Sequence, residues 1–163
     1  MSNAFIYNMP AGIAGDVTRK EHSKIESHVM DTSYPVTKYG VPVKMVSGKI
    51  RPMAAADTGQ PYGFSVRPYP TLADASEALG TATPSTTQPI DVLVSGYIIV
   101  DNKEGTPSKG GSVYYRSQSD DTTEIGQVEA AADTSPETNV AITGAAFMGS
   151  ADSDGNVEIK FNV

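Results

Sequence analysis

Apolar and polar residues alternate with a period of two over much of the chain. Near the C-terminus Val157, Ile159, Phe161 and Val163 fall on one face and Asn156, Glu158, Lys160 and Asn162 on the other, the pattern of a strand with one buried side. Val140, Ile142, Ala146 and Met148 supply a partner strand, and Asp154-Gly155 between the two runs signals a hairpin turn, because glycine accepts positive φ. Tyr62, Phe64 and Val66 alternate with Gly63, Ser65 and Arg67 in the same way. Val41, Val43 and Met45 alternate with Pro42 and Lys44, and Pro42, which has no amide hydrogen to donate, places that strand at a sheet edge. Residues 92–100 are almost continuously apolar, as a central strand covered on both faces would be. Further strands are expected at 25–30, 49–51, 113–117 and 123–129.

Only one segment changes period. Thr71 can cap a helix with Asp74 three residues on, Leu72, Ala75 and Leu79 share a face, and Gly80 is placed to stop it. Residues 81–89 are uncharged and rich in Thr, Ser and Pro, and 101–111 are rich in charge and Gly, so both are expected as loops. Phe5, Ile6, Tyr7, Met9 and Ile13 follow no sustained period. They suggest an extended N-terminal arm over 1–15 that lies across its own sheet or reaches a neighbouring molecule. The expected architecture is mainly β. It is a jelly-roll-like sandwich or barrel of about eight short strands, with one short helix, forming a single domain over 16–163.

Composition narrows this picture. The 163 residues suffice for one core, and the chain has no cysteine, which removes disulfides, thiolate metal sites and cysteine nucleophiles. The first 30 residues hold no apolar core of the kind a secretory leader needs, and 92–100, broken by Ser95 and Gly96, is too short to cross a bilayer as a helix. A net charge of −7 argues against a direct nucleic-acid partner. That charge is uneven: residues 1–81 carry 8 basic and 7 acidic side chains, whereas 82–163 carry 4 and 12. Such asymmetry can orient a protein on a partner surface, and it also keeps exposed loops soluble.

No motif announces a reaction. Asp152-Ser153-Asp154-Gly155-Asn156 opens like a calcium loop, but Val157 stands where the loop needs glycine and Val163 where it needs a bidentate glutamate, so it reads as a turn. His22 and His28 are six apart with no His-x-His pair, and read as surface histidines rather than metal ligands. Neither Gly-x-Ser-x-Gly nor a phosphate-binding glycine loop is completed. No catalytic residue, metal or cofactor is expected. Tyr62, Tyr69, Tyr97, Tyr114 and Tyr115 leave one alternative open, a carbohydrate-binding β-sandwich that stacks sugars on tyrosines. A small β-fold hydrolase is disfavoured by the few histidines.

The string as a whole carries more. Met9-Pro10-Ala11-Gly12 followed by Gly15-Asp16-Val17-Thr18-Arg19, then Tyr39-Gly40-Val41-Pro42-Val43, then Gly63 to Val66-Arg67-Pro68-Tyr69-Pro70, resembles the structural cement, or head decoration, proteins of tailed bacteriophages. Val113-Tyr114-Tyr115-Arg116, Ile125-Gly126-Gln127-Val128-Glu129-Ala130-Ala131-Ala132-Asp133 and Phe147-Met148-Gly149 through to Val163 are similar to the second half of the same family. The likeness is weakest over 71–89. It implies a β-rich fold and no active site. It further implies a protein made in the bacterial cytoplasm that binds the outside of the assembled head, with the major capsid protein as partner and copies of itself as a dimer or trimer. On that reading Phe5, Ile6, Tyr7, Met9, Ile13, Arg19, Arg67 and Tyr69 are candidate contacts with the capsid or with another subunit, and 157–163 offers a strand edge for self-association.

Overall fold

The computed structural model describes residues 11–68, 82–86, 88–119, 124–133 and 138–163. Nine strands join in one continuous hydrogen-bonded sheet. They are β1 (Lys24–His28), β2 (Pro42–Val46), β3 (Lys49–Pro52), β4 (Gly63–Ser65), β5 (Ile90–Glu104), β6 (Ser112–Arg116), β7 (Val128–Glu129), β8 (Asn139–Phe147) and β9 (Asn156–Phe161). The expected mainly β, sandwich or barrel-like architecture is what the chain adopts. A 3-10 turn at Lys20–His22 is the sole helical element among the described residues. The short helix expected over 71–79 lies outside them.

β5 organises everything else. Its first half pairs β4 on one edge and β1 on the other. At Gly96 it exchanges β1 for β9, so that Gly96–Asp101 runs antiparallel to Asn156–Phe161. Gly96 makes the exchange possible: its φ is +136, and the side chain of Ser23 fills the space a Cβ would need. At Asn102 and Glu104 β5 takes β7 as a parallel neighbour. β7 pairs β6, β6 pairs β8 and β8 pairs β9, which closes a ring through β5.

β5 feeds two cores, and the core that a given alternate position serves changes between Leu93 and Ile98, around Gly96. Leu93, Ile98 and Val100 point into the ring with Val113, Tyr115, Val128, Ile142, Phe147, Val157, Ile159 and Phe161. Ile90 and Val92 point the other way, into a smaller cluster with Met30, Val36, Val43 and Ile50. Phe64 meets Phe161 edge to face at 5.3 Å, tying β4 to the ring. Each such fully buried side chain contributes roughly 1.5–3 kcal/mol of transfer free energy.

Several expectations change in detail. β2 is internal, between β3 and β4, and Pro42 is tolerated because it is the first residue of the strand. β5 continues through Asp101–Glu104, which pattern alone assigns to a loop. Of the strand expected at 123–129, the described residues 124–129 form strand only at Val128–Glu129, after a turn at Ile125-Gly126. β9 has β5 on one side and β8 on the other, so 157–163 offers no free edge for a second copy. The β8–β9 hairpin forms as the pattern predicts.

Candidate functional site

The remaining stretch of the β5 edge, between β4 and β7, is filled by the segment around Gly15. Ile99 donates to the carbonyl of Asp16 (2.9 Å) and accepts from the amide of Gly15 (2.8 Å), and Thr18 donates to Tyr97 O (3.2 Å). Gly15 O in turn accepts from Arg67 N just past β4 (2.9 Å). Residues 11–18 therefore lie across their own sheet. The arm also covers the Ile99 side chain, 1% exposed, since Gly12 lies so close to it that a Cβ there would stand 3.1 Å from Ile99 Cγ1.

Close approach of two glycines sets this seat. Gly15 has φ +93, and a Cβ there would lie 2.6 Å from Tyr39 Cβ and 3.1 Å from Arg67 N. Gly40, at φ +73, would place a Cβ 2.7 Å from Gly15 N. Neither position admits a side chain without moving backbone. The outer end is held by Asp152 in the β8–β9 loop. One carboxylate oxygen accepts from Ala11 N (2.9 Å), and the other accepts from Asp154 N (3.0 Å) and Asn156 N (2.9 Å). Burial pushes the Asp152 carboxyl up, but these amide donors outweigh it and hold it below the usual range. The residues that resemble the start of a calcium loop thus use their oxygens to order a hairpin loop and clamp the arm.

Beside the seat lies an open groove of about 1390 Å³, lined by Ile13 and Ala14, by Lys38 and Tyr39 from the β1–β2 connection, and by Lys103 and Gln127 across from them. Its floor holds a buried ion network. Arg116, 3% exposed, donates from Nε to Glu129 Oε1 (2.5 Å) and from a terminal nitrogen to Glu104 Oε2 (2.7 Å). Its other terminal nitrogen reaches Thr138 Oγ1 (2.8 Å) and Asp133 Oδ2 (3.1 Å). Burial works against the charge of Arg116, yet its carboxylates push its pKa upward on balance. Asn139 and Gln127 satisfy Glu129 further, at 2.7 and 2.9 Å. The network fastens the segments on both sides of β7 to the ring end.

Of the sequence-expected contact residues, the structure brings three to the β5 region. Ile13 lines the groove. Arg19 stacks 4.1 Å above the Tyr97 ring and pairs with Glu158 at 2.8 Å. Arg67 is tied by its amide to Gly15. Phe5, Ile6, Tyr7, Met9 and Tyr69 lie outside the described residues. Among the described residues, Tyr62, Tyr97 and Tyr115 form no common platform. Tyr115 is fully buried and donates to Gly59 O (2.7 Å), Tyr62 donates to Glu26 (2.5 Å), and Tyr97 lies beneath Arg19. His28 meets Glu26 and the Tyr62 ring, while His22 is exposed. Among the described residues no group of three His, Asp or Glu side chains could hold a metal. Pattern reading missed the Arg116 network, whose only sequence sign is charge on strands otherwise apolar.

The geometry is that of a rigid β framework with a seated arm. Comparison with known proteins agrees. No curated protein matches the sequence. Among solved structures, a chain from the capsid of Myoviridae phage XM1 superposes with a TM-score of 0.70 at 19% identity, covering 99% of this chain and 97% of that one. The family described as XM1 gp53 minor capsid protein matches residues 1–161. With nearly the whole length matched, the chain belongs to the XM1 gp53 minor capsid protein family and is a structural protein of a phage head.

Proposed function

We propose that the protein is a cement protein. It binds the outer surface of the assembled head and bridges neighbouring major capsid subunits, so that the shell resists the pressure of packaged DNA. The observation that carries this reading is the seated arm. Gly15, Gly40 and the Asp152 clamp fix the chain at Ala11, so the ten residues before it start from a defined point. Fully extended, residues 1–10 reach about 33 Å. Phe5, Ile6, Tyr7 and Met9 supply the apolar contacts of that tether. Ile13, Arg19 and Arg67 lie near the arm, so this side is the capsid-facing one; acidic residues of the second half, Glu158 against Arg19 and Glu104 and Asp133 in the groove beside Ile13, stand on it too and suit basic patches of the capsid.

Each contact can be weak, because a protein held at one site meets the next at high effective concentration. The test is cryo-electron microscopy of the parent head together with occupancy measurements on heads carrying a chain that lacks residues 1–10. The expected results are density outside the major capsid lattice at subunit boundaries and at least tenfold lower occupancy for the shortened chain. Density inside the shell, or unchanged occupancy, refutes the reading.

A further inference from the structure

The outer edge of β1 is short, ending where Val29 O accepts from Ile50 N (2.9 Å), and no described strand covers it. Asp91 O accepts from Val66 N on the β4 side of β5 (2.8 Å), so Asp91 and Leu93 face β4 while Ile90 and Val92 face β1. Opposite those two stand His28 and Glu26, which therefore spend their backbone groups on β5. Ile25 and Ser27 must turn their N–H and C=O groups outward, and among the described residues no strand receives them. The five residues contain neither proline nor glycine, and Ile25 is 42% exposed. An uncovered strand of this kind is a template for another strand.

We infer that the β1 edge pairs with β1 of a second copy of this chain, antiparallel about a two-fold axis at Ile25. The side chains choose both the partner and the register. With Ile25 opposite Ile25, each Lys24 lies opposite the other copy's Glu26, and the two isoleucines meet on the other face. Centring the pair on Lys24 or on Glu26 instead sets like charges against each other. Within one copy Lys24 already lies 2.7 Å from Glu26, so pairing extends an existing charge alternation rather than creating an unpaired ion. Ser23 N is committed to Lys20 O (3.2 Å), which ends the ladder at Ser27 opposite Ser23. A two-fold contact uses the same patch on both copies and closes on itself, giving a dimer rather than a filament. This inference does not depend on the capsid surface the protein occupies.

The natural chain has no cysteine, so a single introduced thiol reports the register directly. In the proposed pairing the two Ile25 Cα atoms lie about 5.5 Å apart, within disulfide range. The two Ser27 Cα atoms are offset by about 14 Å along the strands, out of range. Full-length Ile25→Cys and Ser27→Cys proteins, purified and mildly oxidised, are compared by non-reducing gel. Ile25→Cys is expected to form covalent dimer at least tenfold faster, and adding Lys24→Glu at low salt slows it severalfold. Equal rates, faster Ser27→Cys crosslinking, or no dimer from either variant overturns the inference. So does crosslinking of Ile25→Cys on heads to a different capsid chain in place of itself. Because the assay uses purified protein, its failure is separable from failure of the cement reading, which rests on head occupancy.

Discussion

Replacing Arg116 by methionine tests whether the ion network at the ring end holds the fold together. The Arg116 side chain is 4% exposed and that of Glu129 1%. Removing the guanidinium leaves the Glu129 carboxylate buried with only the amides of Gln127 and Asn139 as donors. Breaking a buried pair by deleting one partner costs about 3–5 kcal/mol, because the other charge stays desolvated. Glu104 and Asp133, at 49% and 24% exposure, fall back on water and add little. For a chain of this length about 1 kcal/mol moves Tm by about 2–4 °C, so Arg116→Met should lower Tm by roughly 6–20 °C. Adding Glu129→Gln removes the stranded charge and should recover about 2 kcal/mol or more, since uncharged replacement of both partners is nearly neutral. Circular dichroism melts and urea titrations of the wild type, both single variants and the double variant give the coupling. A single-variant loss under about 1 kcal/mol, or a double variant no more stable than Arg116→Met, refutes the assignment.

Three further outcomes follow from geometry. Gly15→Ala forces a Cβ against Tyr39 and Arg67 at positive φ, and should cost about 2–3 kcal/mol and speed proteolysis near Ala11; a variant as stable as the wild type would show that the seat yields freely. The β2–β3 turn has Ser47 at φ +51 and Gly48 at +77, a type I′ turn that prefers Asn-Gly, so Ser47→Asn should raise Tm by about 1–2 °C, and a lower Tm would exclude that turn type. Glu26 is lowered to about 2, chiefly by hydrogen bonds from Lys24 and Tyr62, while Asp31, Glu124 and Asp152 are also held below their ordinary values. Depressed carboxylates stabilise above their unfolded values near 4 and lose that contribution as pH falls toward 2, so melts at pH 7 and pH 2.5 should show a loss concentrated below about pH 4.5, shallower in Asp152→Ala.

The strands are largely legible in the sequence, but apart from the β8–β9 hairpin their partners are not. Alternation in 156–163 and 140–148 locates β9 and β8 and their hairpin, because a one-sided burial pattern repeats every two residues whatever lies opposite. The same alternation cannot say what pairs with an edge. Pattern alone leaves the second edge of 157–163 open and sets β2 at the sheet edge because of Pro42, yet β5 reaches β9 across some sixty positions of sequence and β3 covers β2. The near-continuous run at 92–100 correctly implied cover on both faces, but the cover of Ile99 is the arm, whose residues have no period of their own. Arg116 and Glu129 escape for a related reason: each follows a core residue, Tyr115 and Val128, and so falls in the phase that a strand turns away from the core, where charge is ordinary and nothing in the pattern marks it as buried.

The residues that suggested a head protein are scattered in sequence and adjacent in space. Gly12, Gly15, Tyr39, Gly40 and Arg67 come from three separate runs, and all of them meet where the arm crosses β5 beside Ile99. None carries out chemistry there. Two of them are glycines whose contacts are backbone to backbone, and the ladder at Gly15, Asp16 and Thr18 uses main-chain groups that any sequence could offer. What the side chains decide is whether the backbone can come close enough. A site of that kind has no catalytic motif, so it stays invisible to a search for reactive groups and shows itself as glycine and small-residue runs. It suits the cement role proposed above, because an arm anchored by main-chain hydrogen bonds at several points comes free only when the sheet itself opens. The Gly15→Ala variant separates the two ways of anchoring an arm. If the seat is the anchor, head occupancy falls along with stability; if the arm is held by its far end on the capsid, stability falls and occupancy stays.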